Sequence, residues 1–84
     1  MKKIVFTKQA EKDYQKILQS PFRSKVFKLL TILKEDPMQP PFEKLVDQNA
    51  VYSRRINIQH RLVYEIVDET TVKIIRMCTH YGDN

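Results

Sequence analysis

The chain has 84 residues, of which 42% are hydrophobic and only one is glycine, and we expect a single compact domain over residues 1–84. Its one cysteine excludes an internal disulfide framework, and its two histidines exclude a zinc cluster of the usual kind. The net charge of +5 favours a polyanionic partner such as nucleic acid, although many small basic proteins are simply soluble.

The first elements predicted are a strand and a helix. KKIVFT, residues 2–7, has the alternation of a short strand. Thr7 is placed to cap a helix that runs to about Gln19, because a threonine hydroxyl can accept from the free N–H groups of a first turn. The apolar face of this helix comprises Ala10, Tyr14, Ile17 and Leu18.

A second helix is predicted directly after the first. Ser20 suits the cap position and Pro21 the first helical position, and the helix is expected to end near Asp36. Its buried stripe comprises Phe22, Val26, Leu29, Leu30 and Leu33. Two such helices in succession predict a helical hairpin lying on a sheet.

The second half of the chain predicts a proline-rich loop and three strands. The loop DPMQPPFEKLVDQN, residues 36–49, has three prolines in five residues, which forbid helix and central strand. The strands are VYSRRI, HRLVYEIV and TVKIIRMCT, with a tight turn at residues 68–70. The expected fold is α+β in the order β-α-α-β-β-β, an antiparallel sheet with the helical hairpin packed on one face. We expect the first strand to join this sheet.

The strand HRLVYEIV separates two kinds of side chain. Leu62, Tyr64 and Ile66 alternate onto one side, which we expect to face the helices. Arg61, Val63, Glu65 and Val67 lie on the other. That second face is expected to be a free, polar, concave surface.

Arginine is concentrated in this half of the chain. Four of the five arginines follow residue 50, namely Arg54, Arg55, Arg61 and Arg76. Because guanidinium binds phosphate oxygens through paired hydrogen bonds, this distribution indicates that the C-terminal half binds the polyanion. An alternative is that His60 and Arg61 are only solvated residues at the start of a strand.

Several side chains have the chemistry needed to cleave RNA without a metal ion. The reaction needs a base for the 2′-hydroxyl proton, a cation for the phosphorane and an acid for the leaving 5′-oxygen. The candidates are Glu43, Arg54, Arg55, Arg61, His80 and Tyr81. Taken singly, Glu43 could be a solvated loop acid, His80 a tail residue and the arginine pair a basic edge.

The motifs YSRRIN and HRLVY, followed by THY near the terminus, resemble the YoeB/Txe branch of the RelE-type toxins. These toxins are bacterial messenger-RNA interferases of type II toxin–antitoxin modules. The resemblance spans nearly the whole chain and implies a RelE-like fold and ribosome-dependent cleavage in the A site. It implies no cofactor and no metal.

The resemblance also implies roles for individual residues. Glu43 corresponds to the general base, Arg61 to the group that stabilises the transition state and His80 to the general acid. Tyr81 is expected near the scissile nucleotides. Arg55 and Arg54 are expected to contact the RNA backbone, and His60 becomes a neighbour of the site.

The implied partners are messenger RNA, the ribosome and a cognate YefM/Axe-like antitoxin with an acidic, disordered segment, and a homodimer is compatible with the resemblance.

The N-terminal MKKIVFTKQ lacks a hydrophobic signal region and no apolar run is long enough to span a membrane, so we expect a cytoplasmic protein without membrane contact. Two alternatives stay open. One is a catalytically silent module that binds RNA or a protein partner, and the other is a gyrase-inhibiting toxin of the same fold.

Overall fold

The computed structural model describes residues 1–45, 50–58 and 60–79. Two helices and five strands are present in this part of the chain. In chain order they are β1 (Lys3–Phe6), α1 (Lys8–Leu18), α2 (Arg23–Glu35), β2 (Glu43–Lys44), β3 (Val51–Arg55), β4 (His60–Asp68) and β5 (Thr71–Thr79). No helix in the described ranges is both long enough and apolar enough to cross a membrane.

The strands form one mostly antiparallel sheet in the order β1-β5-β4-β3-β2. The three long C-terminal strands pair antiparallel to one another, and β1 joins the sheet beside β5 in parallel. The predicted α+β architecture is therefore confirmed. The two-residue strand β2, which pairs with β3 at the edge of the sheet, was not predicted. Pairing resumes there because the last proline of the loop is Pro41, two residues before β2 begins.

The start of α1 follows the predicted capping pattern. The Thr7 hydroxyl accepts a hydrogen bond from the Ala10 N–H at 3.0 Å, and the helix ends at Leu18 with Gln19 as its C-terminal cap residue. Thr7 also donates through Oγ1 to the carbonyl oxygen of Ile75 in β5. The same side chain thus starts the helix and fixes it to the sheet.

The start of α2 differs from the prediction. The helix begins at Arg23 with Phe22 as its cap residue, and the cap has no side-chain hydrogen bond. The Ser20 hydroxyl donates to the carbonyl oxygen of Ile17 at 2.7 Å and accepts from the Phe22 N–H at 3.2 Å. Ser20 therefore completes the end of α1, and Pro21 lies in the turn between the helices instead of in the first turn of α2.

The core lies between the two helices and one face of the sheet. Both predicted helical stripes contribute to it, and Leu62 and Tyr64 project into it from β4 as expected, with Ile66 packed at its margin. Its buried members are Ala10, Ile17, Val26, Leu29, Leu33, Ile56, Leu62, Tyr64, Val72, Ile74 and Met77. Burying each large aliphatic side chain contributes about 1.5–3 kcal/mol, so this layer is the main stabilising contact between helices and sheet.

The opposite face of the sheet is only partly open. The side chain of Val63, which alternates away from the helices, is fully buried. Ser53 and Val51, on the same face of the neighbouring strand β3, are no more than 5% exposed. The expectation of a free polar surface along this whole face was therefore wrong, because its centre consists of small and apolar side chains excluded from water. The polar part lies where β3 ends and β4 begins, at Arg55 and Arg61.

Candidate active site

Two arginines lie opposite one another at the polar end of this face. Arg55 of β3 is in register with Arg61 of β4, so both side chains project from the same side of the sheet. Arg55 is exposed, and the Arg61 side chain is 40% exposed. Because like charges repel across neighbouring strands, this arrangement favours an anion close to both.

Glu43 supplies such an anion from the edge of the sheet. In β2 it pairs with Ser53, which places its side chain on the same face as the two arginines. Its carboxylate reaches across β3, and Arg61 Nη1 donates a hydrogen bond to Glu43 Oε1 at 2.6 Å. The structure thus brings together two of the predicted catalytic residues although 18 positions separate them in the chain.

The ionisation of Glu43 depends on these neighbours. The hydrogen bond from Arg61, and then the charges of Arg61 and Arg55, hold the pKa of Glu43 below its ordinary value. The carboxylate is therefore ionised at neutral pH and is able to accept a proton. It occupies a position on the Arg61 guanidinium where a phosphate oxygen would make the same contact.

Arg54 has a different environment from Arg55. Its side chain is only 2% exposed, and its two terminal nitrogens donate to the carbonyl oxygens of Pro41 at 3.0 Å and Pro37 at 2.9 Å. The Tyr64 hydroxyl donates to the same Pro37 oxygen at 2.9 Å. The predicted contact of Arg54 with RNA does not fit this placement, since its guanidinium is buried and bound to the loop. Arg54 instead anchors the segment that leads to Glu43.

This placement gives a stability prediction for Arg54. Arg54→Lys is expected to lower the free energy of unfolding by about 2 kcal/mol, because an ammonium group cannot reach both carbonyl oxygens. The midpoint of thermal unfolding should then fall by roughly 10 °C. The matched control is Arg55→Lys, an exposed change expected to stay within about 0.5 kcal/mol of the wild type. Equal stability of the two variants would contradict the assignment.

His60 faces the helices and not the arginine pair. Its ring packs against Phe22 with 5.0 Å between centroids, and its backbone N–H donates to Asn57 Oδ1 at 2.6 Å. Its Nδ1 atom is buried and has no hydrogen-bond partner among the described residues. Although His60 adjoins Arg61 in the chain, strand alternation directs the two side chains to opposite faces, so His60 is not joined to Glu43 and Arg61.

The sequence matches the model of the YoeB-like toxins of bacterial type II toxin–antitoxin systems over residues 6–81. This chain belongs to that family. The match covers every residue of the candidate site, including those beyond the described ranges. No curated protein sequence matches the chain at a significant level.

Solved structures of YoeB toxins are similar to this YoeB-type toxin over almost their whole length. The YoeB/ParE toxin from Agrobacterium tumefaciens is 26% identical with a TM-score of 0.83, and 96% of this chain and 100% of that chain are covered. The YoeB dimer from Staphylococcus aureus is 32% identical with a TM-score of 0.77, covering 95% and 98%. The YoeB–YefM complex from the same organism is 31% identical with a TM-score of 0.76, covering 96% and 99%.

Two predicted site residues of this YoeB-type toxin, His80 and Tyr81, lie outside the described residues. The described part of β5 ends at Thr79, which is in register with His60. The preceding residue of β5, Cys78, is in register with Arg61. The backbone of β5 therefore runs beside Arg61 just before the chain reaches His80.

Sequence interpretation missed a buried carboxylate in this YoeB-type toxin. Asp13 of α1 is 5% exposed and accepts hydrogen bonds from Arg76 Nε at 2.9 Å, the Met77 N–H at 3.0 Å and Gln9 Nε2 at 3.1 Å. Burial alone would raise the pKa of Asp13, but these donors and the Arg76 charge together lower it. The available signal was an aspartate three positions after Ala10 and four before Ile17, within the apolar face of α1.

In the part of the chain that the structure describes, no group of three or more His, Cys, Asp and Glu side chains could hold a metal ion. Within the described residues, the candidate site of this YoeB-type toxin consists of Glu43, Arg55 and Arg61. These groups can accept a proton and bind an anion. Both capacities are needed for phosphodiester chemistry.

Proposed function

We propose that this YoeB-type toxin is an endoribonuclease that cleaves messenger RNA in the ribosomal A site and so inhibits translation. The observation that carries the proposal is the 2.6 Å contact between Glu43 and Arg61, with Arg55 directly opposite Arg61. A carboxylate that can act as a base and two cations that can bind phosphate thus lie within one exposed cluster. The ribosome, the A site and a cytoplasmic location are expectations of the family resemblance.

The proposed reaction needs neither a metal nor a cofactor. Glu43 takes the proton from the 2′-hydroxyl, and the 2′-oxygen attacks the adjacent phosphorus in line with the leaving group. Arg61 stabilises the added negative charge of the phosphorane, and His80 gives a proton to the departing 5′-oxygen. The products are a 2′,3′-cyclic phosphate and a 5′-hydroxyl. Tyr81 orients the nucleotides and Arg55 binds the RNA backbone.

The Glu43–Arg61 ion pair suits a mechanism in which the Glu43 carboxylate becomes a stronger base when the substrate binds. In the free protein Arg61 lowers the pKa of Glu43, which makes the carboxylate a weaker base. A scissile phosphate on Arg61 competes for the same guanidinium and adds negative charge beside the carboxylate. Both effects raise the pKa of Glu43 and so favour removal of the 2′-hydroxyl proton.

We also propose an antitoxin partner of the YefM/Axe type. The solved S. aureus YoeB–YefM complex supports this partner. An acidic segment that folds on binding would cover the exposed arginines and compete with Glu43 for Arg61. The S. aureus YoeB dimer likewise supports the proposal that this chain forms a homodimer. We further propose that residues 1–84 form a single domain.

The test is cleavage of a defined message on translating ribosomes, with the 5′ ends of the fragments mapped. Wild-type protein is expected to produce new ends at the A-site codon, and the upstream fragment should carry a 2′,3′-cyclic phosphate. His80→Ala should lower the cleavage rate by about 10²–10⁴-fold, the usual contribution of a general acid. Circular dichroism checks that the variant is folded.

Two results would contradict parts of this proposal. Absence of cleavage by the wild type would favour a silent module that binds RNA or a partner. Full cleavage by His80→Ala would remove His80 from the mechanism, while leaving the nuclease activity itself in place.

A further inference from the structure

A groove of about 470 Å³ opens beside the candidate active site, between α2 and the β2–β3 edge of the sheet. Its helix side contains Lys25, Leu29 and Ile32, and its loop side contains Pro41 and Phe42. Glu43 and Arg55 line the same groove. A chain bound at the Glu43–Arg61 pair could therefore continue into this groove without leaving the protein surface.

The Phe42 ring has a fixed place in the groove. It packs edge-on against Tyr52 with 5.5 Å between ring centroids. The guanidinium carbon of Arg54 lies 5.7 Å from the centroid of the Phe42 ring. Because Arg54 is bound to the carbonyl oxygens of Pro37 and Pro41, the loop that carries Phe42 is held on the protein side. The ring is thus a preorganised apolar surface that stays half-buried.

The chemistry of the groove suits a nucleotide. Ile32 and Phe42 offer half-buried apolar surface on its two sides, which suits the flat face of a base. Lys25 and Arg55 are exposed cations that suit phosphate oxygens. An apolar floor with a cationic rim is the arrangement by which proteins bind single-stranded RNA.

We infer that this groove binds the nucleotide next to the cleaved phosphate, with its base against Phe42 and Ile32 and its phosphate on Lys25. The inference rests on the proposed function, since the cleaved phosphate is placed at Arg61. It adds two residues of α2, far from the strand motifs, to the RNA-binding surface. Single-stranded RNA is favoured over a peptide because the groove is continuous with the proposed cleavage site.

The first test measures binding of a short single-stranded RNA with a 2′-deoxy substitution at the cleavage position, over a series of salt concentrations. Lys25→Gln is expected to weaken binding about fivefold at low salt and to reduce the salt slope by about 0.7, the value for one lost phosphate contact. The matched control is Lys28→Gln, an exposed lysine of the same helix that does not line the groove. It should change the dissociation constant less than about twofold.

A second variant tests the apolar part of the groove without removing a charge. Ile32→Ser removes the apolar surface against which the base is placed and is expected to raise the KM for message cleavage on ribosomes while leaving kcat close to the wild-type value. Circular dichroism and the thermal midpoint confirm the fold. An unchanged KM in a folded Ile32→Ser protein would overturn the placement of the base.

The results also separate this inference from the proposed function. If the wild type cleaves messages but Lys25→Gln keeps the wild-type affinity and salt slope, the groove does not bind RNA and the nuclease proposal stands. If Lys25→Gln loses affinity only for a short synthetic peptide rich in Glu and Leu, the groove is a protein-binding site and the inference fails. If the wild type binds RNA through Lys25 but cleaves no message, the groove is supported and the nuclease proposal fails.

Discussion

Arg61→Gln is expected to reduce message cleavage by about 10³-fold while the protein stays folded. Glutamine keeps much of the side-chain volume and an amide NH2 donor group but has no charge to place against the phosphorane, and loss of such a group typically costs about 10²–10³-fold or more in rate. The Arg61 side chain is 40% exposed, and exposed ion pairs contribute little to stability. Rates come from single-turnover cleavage on programmed ribosomes, and circular dichroism reports folding.

The control for this result is Arg61→Lys. Lysine restores the charge but not the paired donors of a guanidinium, so we expect a rate between those of Arg61→Gln and the wild type. The carboxyl titration of Glu43, followed by NMR, is an independent readout. Its pKa should lie below the ordinary value in the wild type and rise in Arg61→Gln, because the largest cause of the lowering is then removed. Wild-type cleavage by Arg61→Gln would exclude Arg61 from the mechanism.

Asp13→Ala is expected to lower the free energy of unfolding by about 3 kcal/mol, with a fall of roughly 10–25 °C in the thermal midpoint. The change removes the acceptor of the buried hydrogen bond from the Met77 N–H, and it removes an ionic partner of Arg76. β1 pairs with β5 only as far as Ile74. Beyond that residue Asp13 of α1, instead of β1, accepts a hydrogen bond from this edge of β5, at the Met77 N–H. Denaturant unfolding at neutral pH measures the difference.

The pH dependence separates the charge of Asp13 from its shape. The pKa of Asp13 is lowered in the folded protein, so ionised Asp13 contributes stability that is present above its unfolded pKa of about 3.9 and is lost as pH falls through the folded value. The isosteric control Asp13→Asn should therefore be less stable than the wild type at neutral pH, with the difference shrinking below about pH 4. A difference that stayed constant into acid would contradict an ionised Asp13.

The secondary structure was predictable wherever one residue or one period determined it. The Thr7 cap and the apolar stripes of both helices follow from local chemistry, and the opposite directions of Arg61 and Leu62 follow from strand alternation. The start of α2 was not predictable in this way. Ser20 has the composition of a cap, but its hydroxyl bonds back to Ile17, and only the path of the turn determines that choice.

The site was predictable in its residue types and not in its geometry. The contact between Glu43 and Arg61 depends on β2 joining the edge of the sheet. The sequence of a two-residue strand is too short to predict its register with the neighbouring strand. Arg54 and Arg55 look alike as neighbours in one motif. Their separate functions depend on the carbonyl oxygens of a loop whose path the sequence does not reveal.

The two hydrogen bonds that the Pro37 carbonyl oxygen accepts also bear on how this protein can change over time. Arg54 of β3 and Tyr64 of β4 both donate to that one oxygen, so the start of the loop is held through its main chain, while the packed ring of Phe42 holds its end. Substitutions at the exposed positions 38 and 39, between these two anchors, can therefore accumulate without moving the carboxylate. Residues 42, 54 and 64 carry the constraint instead, and positions 38 and 39 are the part of the loop most free to diverge as partners change.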